Sequence, residues 1–336
     1  MKKIVITGGA GFIGSQLGFR LTEMGHDVLL LDNMYHGYLD NLYYNNRFFD
    51  KIAFADIRDP DLGKYFKGVD AVFHFAGISA LPECMEKPRL AIDINVSGTA
   101  NVLESARKQG VKKVIFSSTS AIYENTNTFP TPENDETEPN QLYCVTKKQA
   151  EMLCRSFSKN YGLNILITRY YNVYGPHMDF KRRSPPFVSY IVRELLLKRK
   201  PVLYNDGPAT RDYIYVDDVN DLHIKLLEAD NIPSCTAFNV GSGKGYTVRE
   251  IYAQVKELLQ TDIEPQFEDS TKFWDRYSSL FEGHYPLQRS SISKEVNKNT
   301  LAAIGNAFSL LQWKPKVEMY EGLQNCINFV REKLEK

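Results

Sequence analysis

The sequence predicts an α/β protein built on a doubly wound parallel sheet, with a smaller, mostly helical C-terminal part. Short apolar runs rich in Val, Ile and Leu alternate with amphipathic helical stretches through the first half of the chain. Such runs are typical of strands that are buried on both faces of a parallel sheet. A glycine-rich turn directly after the first run is typical of the same fold.

The predicted strands follow one another with helices between several of them. The apolar runs are KKIVITG, HDVLLLDN, KIAFADI, AVFHFAG, KKVIFSS and LNILITRY. The helical stretches are SQLGFRLTEMG, AIDINVSGTANVLESARKQG and LYCVTKKQAEMLCRSFSKNYG, which combine apolar and polar residues as the surface helices of a globular domain do. We therefore predict a first domain, with the Rossmann topology, over residues 1–175.

The character of the chain changes after residue 175. The segment PHMDFKRRSPPF is Pro-rich and basic, and the helical stretch VSYIVRELLLKRK follows it. A strand-helix-strand pattern near residues 211–243 is a candidate to rejoin the sheet, and most of the remaining chain is helical. We predict that residues 176–336 form a smaller domain that closes over a cleft.

Charge and composition exclude several classes of protein. The 336 residues carry no formal net charge, so neither nucleic acid nor an anionic membrane is expected as a partner. No apolar run approaches the roughly 18 residues of a membrane span, and no signal peptide is recognisable at Met1. The five cysteines contain no CxxC pair and are expected to be reduced thiols. We predict a soluble cytoplasmic protein without a metal site.

The turn TGGAGFIGS predicts a dinucleotide site. It places Gly8, Gly11 and Gly14 between the first strand and its helix, where glycines allow a pyrophosphate to approach the helix N-terminus. Asp32 ends the second strand and is placed to accept a hydrogen bond from a ribose diol. Because Asn33 rather than an arginine follows it, NAD is favoured over NADP. A glycine turn without a ligand is the disfavoured alternative.

Tyr143 and Lys147 in the segment YCVTK are a candidate catalytic pair. They are four residues apart on a predicted helix and therefore share one face. A tyrosine with a pKa near 10 is a poor base at neutral pH. A neighbouring ammonium and a positively charged nicotinamide would both stabilise its phenolate. Taken alone, this spacing also occurs by chance on helix surfaces.

Together these segments resemble the extended short-chain dehydrogenase/reductases, specifically the NAD-dependent nucleotide-sugar epimerase/dehydratase family. The motifs that carry the resemblance are TGGAGFIGS, LDN, HFAG, INVSGTANVLESA, FSST, YCVTK, RYYNVYGP, DGPATRDYIYVDDV and NVGSG. They extend over nearly the whole chain and are specific as a set. The resemblance implies a catalytic triad of Thr119, Tyr143 and Lys147.

The resemblance also implies the residues that contact the cofactor and the substrate. The candidate NAD-binding residues are Gly8, Gly11, Phe12, Ile13, Gly14, Asp32, Asn33, Asp56, Ile57, Phe75, Ala76, Gly77, Asn95, Ser117, Tyr143, Lys147 and Tyr170. For Asp56 and Ile57 a plain strand end is an equally good explanation. The candidate residues for a nucleotide-diphosphate sugar are Thr119, Asn172, Arg211 and Tyr213. A surface ion pair with Asp212 or Asp217 is the alternative for Arg211.

The residues after Thr119 indicate which reaction follows the first oxidation at C4. Relatives that are 4,6-dehydratases place an acid and a carboxylate base there, whereas this chain has Ser120 and Ala121. Because alanine cannot remove a proton, we predict a 4-epimerase that acts on a UDP-hexose or UDP-N-acetylhexosamine through a transient 4-keto sugar. The alternatives are a 4,6-dehydratase and another NAD-dependent epimerase or oxidoreductase. A non-catalytic dinucleotide sensor is disfavoured because the catalytic pair is present.

The chain departs from the family pattern in two places. Relatives carry a second arginine for the diphosphate, but none stands at the expected place before Glu295. Arg289, Arg276 and Lys294 are the candidate substitutes. Glu124 stands where relatives have glycine and is expected to be a solvated loop residue.

The resemblance also implies a homodimer. Relatives pair two helices from each subunit, and the corresponding segments here are VSGTANVLESARK and VTKKQAEMLCRSF.

Overall fold

The computed structural model describes residues 1–44, 47–136, 138–204, 209–290, 292 and 298–335. The strands are β1 Lys3–Thr7, β2 Asp27–Asp32, β3 Tyr43–Tyr44, β4 Arg47–Phe48, β5 Ile52–Phe54, β6 Ala71–His74, β7 Lys113–Thr119, β8 Ile165–Tyr170, β9 Asn172–Tyr174, β10 Val202–Tyr204, β11 Thr210–Tyr215, β12 Ala237–Val240, β13 Gly245–Thr247 and β14 Gln266–Glu268.

The helices alternate with the strands of the first half, as predicted. They are α1 Phe12–Glu23, α2 Leu81–Glu86, α3 Pro88–Ile92, α4 Thr99–Lys108, α5 Leu142–Tyr161, α6 Phe187–Leu196, α7 Val216–Glu228, α8 Val248–Leu259, α9 Gly305–Leu311 and α10 Met319–Glu335. A π-helical turn, Asp93–Gly98, joins α3 to α4, and Ser270–Phe281 forms 3-10 helix with a kink at Tyr277.

The central sheet has the order β12-β8-β7-β6-β1-β2-β5, and all of its strand pairs are parallel. The side chains of β1 alternate between its two faces. Ile4 and Ile6 pack into the hydrophobic cluster that contains α1 and α7 residues, whereas Val5 packs into the cluster that contains α4 and α5 residues. Both faces are therefore covered, which explains the continuous apolar runs and confirms the predicted doubly wound fold.

The fragment near residues 211–243 rejoins the central sheet through only one of its strands. β12 pairs with β8 at the sheet edge, but β11 instead pairs with β9 and β13 in a separate three-stranded sheet. In this sheet Asn172 lies opposite Tyr213. A third hydrophobic cluster joins side chains of this sheet to residues of α6, α8 and α10. The small sheet thus carries side chains from both parts of the chain.

The described part of the chain has neither a disulfide nor a metal-ligand cluster nor a membrane-spanning helix. The five cysteines are free thiols, and all except the half-buried Cys235 are buried. In these residues no group of three or more His, Cys, Asp or Glu side chains is placed to hold a metal ion. No helix among them is long and apolar enough to cross a membrane.

Candidate active site

The glycine turn after β1 forms a narrow backbone cradle at the start of α1. Gly8 has a φ of +71°, and a Cβ at this position would lie 2.7 Å from the backbone nitrogen of Ala76. A Cβ on Gly14 would lie 2.4 Å from the carbonyl oxygen of Gly8. Gly11 is the N-cap residue of α1, where the positive end of the helix dipole attracts anions. The cradle therefore fits the pyrophosphate of a dinucleotide.

A cleft with a volume of about 120 Å³ lies beside this cradle. The predicted NAD-binding residues that line it are Gly8, Gly11, Asp32, Asn33, Asp56, Ile57, Phe75, Ala76 and Gly77. The loop after β2 adds Tyr35, His36 and Gly37, which the sequence analysis missed. The fingerprint motif fixes the acidic residue at the end of β2 but says nothing about the loop that follows it.

Asp32 is held at the floor of the cleft by backbone donors. Its Oδ2 accepts a hydrogen bond from the nitrogen of Ala10 at 3.0 Å, and its Oδ1 accepts one from the nitrogen of Met34 at 2.8 Å. Burial raises the pKa of Asp32, and these two hydrogen bonds oppose that effect. The carboxylate is thus oriented before any ligand binds.

Asp56 is tied into the rim of the same cleft. Arg58 donates to both of its carboxylate oxygens, at 2.9 Å and 2.7 Å, and the Asn33 amide donates to one of them at 2.8 Å. The Arg58 hydrogen bond is the main reason that the pKa of Asp56 lies well below its usual value. Asp56 therefore has a structural role of its own, and the predicted contact of Asp56 and Ile57 with adenine stays a prediction.

The three predicted catalytic side chains come from the end of β7 and one face of α5. Burial raises the pKa of the Tyr143 phenol, and the neighbouring Thr119 hydroxyl opposes this effect. Lys147 follows one turn later on α5 and is buried. Its burial lowers its pKa to about 8. At neutral pH Lys147 thus remains mostly an ammonium, one helical turn along α5 from Tyr143.

A buried ion pair supports this face of α5. Arg169 donates to both oxygens of Glu151, at 2.9 Å and 2.7 Å, and the hydroxyl of Ser118 also donates to Glu151. Arg169 donates further to Tyr123 Oη at 2.6 Å. Because Ser118 is the neighbour of Thr119 and Glu151 lies one turn beyond Lys147, the network fixes the strand end against the catalytic helix.

The position that would hold the base of a dehydratase is occupied by a backbone turn. The nitrogen of Ala121 donates to Thr119 Oγ1 at 3.1 Å, at the start of the 3-10 turn Ser120–Tyr123. Glu124 is half-buried rather than solvated, because its Oε2 accepts hydrogen bonds from the nitrogens of Asn140 and Gln141 at 2.7 Å and 3.0 Å. The carboxylate therefore anchors the chain that enters α5, which corrects the expectation of a solvated loop residue.

Two of the predicted NAD-binding residues have structural partners. Asn95, in the π-helical turn, exchanges hydrogen bonds with the backbone of Ile78 at 2.9 Å and 3.0 Å and donates to Thr146 Oγ1 at 3.1 Å. It thereby ties the cleft wall to α5. The hydroxyl of Tyr170 lies 2.7 Å from His223 Nε2, in the packing between the sheet and α7.

Three other predicted cofactor residues also lie outside the cleft lining. Phe12 and Ile13 pack against the hydrophobic clusters rather than into the cleft. Their place in the fingerprint is explained by the need to seat α1 on the fold. Ser117 is buried in β7 and faces Thr168 of β8 in the strand register. Contacts of these three residues with NAD stay predictions.

A larger cavity of about 420 Å³ is lined by residues from both parts of the chain. It brings together the predicted substrate residues Asn172, Arg211 and Tyr213, which β9 and β11 present side by side. The cavity wall is rich in aromatic side chains, namely Phe187, Tyr190, Tyr204, Phe273 and Trp274. A volume of this size lies within the roughly 300–1,000 Å³ of pockets that hold drug-sized ligands.

The structure distinguishes between the candidates for a second cation. Arg276 lines the cavity together with Arg211, and it donates to the carbonyl of Arg183 and to Tyr204 Oη at 3.3 Å and 3.0 Å. Arg289 instead forms an ion pair with Asp275 at 2.8 Å and is half exposed. The third candidate, Lys294, lies outside the described residues. Arg276 is therefore the candidate that is brought to the cavity.

The alternative to phosphate binding by Arg211 is a surface ion pair with Asp212 or Asp217. The buried carboxylate of Asp212 accepts hydrogen bonds from the backbone nitrogens of Ser242, Gly243 and Ala302 at 2.7–3.0 Å. It is thus committed to the loop that follows β12. Arg211 faces the cavity, and the pKa of the neighbouring Tyr213 is raised by burial to about 12, against the opposing charge of Arg211.

Known proteins are similar to this chain in sequence and in fold. Residues 4–241 match the NAD dependent epimerase/dehydratase family. A UDP-glucose 4-epimerase from Mycolicibacterium smegmatis is 30% identical over 337 residues, with 98% of this chain and 99% of the relative covered. A UDP-N-acetyl-alpha-D-glucosaminuronate decarboxylase from Bacillus cytotoxicus is 31% identical over 343 residues, with 98% of both chains covered.

Solved structures extend the similarity to the full chain. The crystal structure of UDP-glucose 4-epimerase from Thermotoga maritima with UDP-glucose superposes with a TM-score of 0.84. Its sequence identity is 31%, and 99% of each chain is covered.

Proposed function

Because this chain belongs to the NAD-dependent epimerase/dehydratase family, as its motifs predicted, we propose that it is an NAD-dependent nucleotide-sugar 4-epimerase. The observation that carries the choice of reaction is the environment of Thr119. Its hydroxyl is a neighbour of Tyr143, and the backbone of Ala121 follows where a dehydratase needs a carboxylate. Proton removal at C4 is therefore supported, whereas elimination of water across C5 and C6 is not.

NAD is the cofactor that the cleft fits. The glycine turn would hold its pyrophosphate, Asp32 would accept a hydrogen bond from the adenosine ribose, and Phe75 to Gly77 line the same cleft. When bound, NAD would supply the group that accepts the hydride from C4 of the sugar and gives the same hydride back. No net oxidation takes place, so the protein needs no second substrate.

Tyr143 is proposed to act as the base and then as the acid. As a phenolate stabilised by Lys147, it takes the proton from the C4 hydroxyl while Thr119 donates a hydrogen bond to the same oxygen. The resulting 4-keto sugar turns in the cavity and presents its opposite face. Tyr143 then returns the proton to the C4 oxygen, which gives the epimer.

The aromatic cavity is proposed to hold the nucleotide diphosphate of the substrate. Arg211 and Arg276 supply two guanidinium groups for the phosphates, and Asn172 adds a neutral donor. The substrate class that fits is a UDP-hexose or UDP-N-acetylhexosamine. UDP is supported by the names of the similar proteins, in particular by the solved complex with UDP-glucose.

A decarboxylating reaction is the second candidate, because a decarboxylase is as similar to this chain as the epimerases are. It shares the oxidation at C4 but then releases the C6 carboxylate of a uronic acid as carbon dioxide. The discriminating experiment incubates the purified protein, without added NAD, with UDP-glucose, UDP-N-acetylglucosamine and UDP-glucuronic acid separately. Interconversion with the galacto-configured sugar is expected. A stable 4-keto-6-deoxy product, carbon dioxide or accumulating NADH would contradict the proposal.

We further propose a cytoplasmic homodimer. The supporting observations are the family resemblance and the apolar side chains that α5 leaves exposed, above all Met152, which is 62% exposed. Helices α4 and α5 pack against one another and would together form half of a four-helix bundle. Two copies would cover these side chains.

A further inference from the structure

The dinucleotide cleft has two banks that come from different parts of the chain. β2 and β6 each pair with β1, from opposite sides. The loop after β2 gives one bank with Asn33, Tyr35, His36 and Gly37, and the segment after β6 gives the other with Phe75 to Ile78. Any molecule lying across the carboxyl end of β1 must pass between them.

Helix α2 follows the second bank and reaches across to the first. The hydroxyl of Tyr35 donates to Glu83 Oε1 at 2.8 Å, and Nε2 of His36 lies 2.7 Å from Glu83 Oε2. Lys87 adds a third contact, because its Nζ donates to the hydroxyl of Tyr35 at 3.0 Å. Glu83 therefore joins the two banks with both of its oxygens.

The charge on Glu83 is stabilised by this arrangement. Its side chain is only 16% exposed, and partial burial alone would raise the pKa of its carboxyl. The hydrogen bonds from Tyr35 and His36 overcome this effect and hold the pKa below its usual value. Glu83 is thus an ionised acceptor for two donors on the opposite bank, and such charge-assisted bonds are the stronger kind.

With the banks joined, the cleft measures about 120 Å³, below the roughly 300–1,000 Å³ that is typical of small-molecule pockets. Movement of the loop after β2 away from α2 would widen this cleft. The contacts of Glu83 are therefore placed where they oppose this movement.

We propose that Glu83, with Tyr35 and His36, forms a latch across the dinucleotide cleft that slows release of the bound cofactor. Glu83 is a positioning residue, because it acts through Tyr35 and His36 and not by contact with the reacting atoms. The latch rests on the proposed NAD-dependent epimerisation for the identity of the dinucleotide. In that reaction the same NAD molecule must stay in place through both half-reactions, since its early loss would strand the 4-keto sugar.

The test measures how fast the full-length protein loses NAD. Isotopically labelled NAD is loaded and then chased with excess unlabelled NAD, and the retained label is measured by mass spectrometry after denaturation. Glu83→Ala should release NAD about tenfold faster than the unmodified protein, which corresponds to the loss of about 1.4 kcal/mol. Tyr35→Phe, which only removes one hydroxyl, should show a smaller acceleration of about threefold.

Glu104→Ala is the matched control. Glu104 pairs with Arg107 on the surface of α4, and its removal should leave the release rate within twofold. Unchanged release in both Glu83→Ala and Tyr35→Phe overturns the latch but not the proposed reaction. Failure of the unmodified protein to bind labelled NAD overturns the proposed function itself. A third readout is the need for added NAD during turnover, which should appear in Glu83→Ala after gel filtration and which a purely structural role would not produce.

Discussion

Tyr143 and Lys147 share one face of α5, and Tyr143 is the proposed acid and base. Thr119, at the end of β7, is its neighbour. Tyr143→Phe should therefore lower kcat by about 10²–10⁴-fold, the usual contribution of a positioned acid or base. The measurement is epimer formation under saturating substrate, with NAD content after denaturation as the control. Activity within tenfold of the unmodified protein would contradict the assignment.

Lys147 gives the reaction a dependence on pH above neutrality. Because burial lowers its pKa to about 8, the ammonium is present below that pH and is lost as the pH rises through it. The phenolate of Tyr143 loses its stabilising charge in the same range, so kcat/KM should decline above about pH 8. In Lys147→Arg the charge persists, since a guanidinium does not lose its proton in this range. The decline should then move to higher pH, although the altered geometry lowers the maximal rate by about 10²-fold.

Local motifs do not predict which distant side chains become partners in the folded protein. The spacing of Tyr143 and Lys147 is a local property of one helix, so the sequence predicts it well. The contact of Tyr170 with the cofactor stays a prediction, whereas the structure adds a hydrogen bond between its hydroxyl and His223, which is 53 residues away. Such partners depend on how strands and helices are packed, and no local pattern encodes them.

At the scale of elements, the 3-10 stretch Ser270–Phe281 carries Arg276, the proposed second cation for the diphosphate. Arg276→Ala should raise KM for the UDP-sugar about tenfold with a smaller effect on kcat, because a charge-assisted bond to a phosphate is worth roughly 1.5–3 kcal/mol. Arg289→Ala is the control, since Arg289 is paired with Asp275 outside the cavity. Binding of UDP alone, followed by calorimetry, checks the effect without turnover. Equal effects of both substitutions would remove Arg276 from the site.

Elements were predictable where one physical requirement dominates. Strands buried on both faces need continuous apolar residues, so β1, β2, β6, β7 and β8 could be placed to within two or three residues at either end. β11 could not be assigned to its sheet, because its apolar residues serve equally well in the central sheet and beside β9. The contacts of Glu83 could not be predicted for a similar reason, since they join helix α2 to the loop after β2. Tyr35 lies 48 positions from Glu83 in the sequence, and His36 lies 47 positions from it.

At the scale of the whole molecule, the exposed apolar side chains of α5 predict association. Met152→Glu should shift the protein from dimer to monomer, because it places a charge where two copies would bury a methionine. Light scattering coupled to size-exclusion chromatography measures the mass directly. Met24→Glu is the matched control, because Met24 is 46% exposed at the end of α1 and lies outside the proposed bundle. A monomeric unmodified protein would contradict the dimer.

Helix α2 touches both the walls of the dinucleotide cleft and the substrate cavity, which predicts that the two sites communicate. Glu83 contacts Tyr35 and His36, which line the dinucleotide cleft, whereas Leu81 and Pro82 line the substrate cavity. Glu86 accepts a hydrogen bond from Ser279 at 3.1 Å, on the 3-10 stretch that also lines this cavity.

A nucleotide that orders the 3-10 stretch should therefore hold α2 in place and strengthen the latch. Saturating UDP is expected to slow NAD release about fivefold, the lower end of typical coupling between sites. Glu86→Ala should lose most of this slowing, whereas Glu104→Ala should keep it. The labelled-NAD chase with and without UDP measures both. If UDP slows release equally in Glu86→Ala, the coupling does not depend on the contact between Glu86 and Ser279.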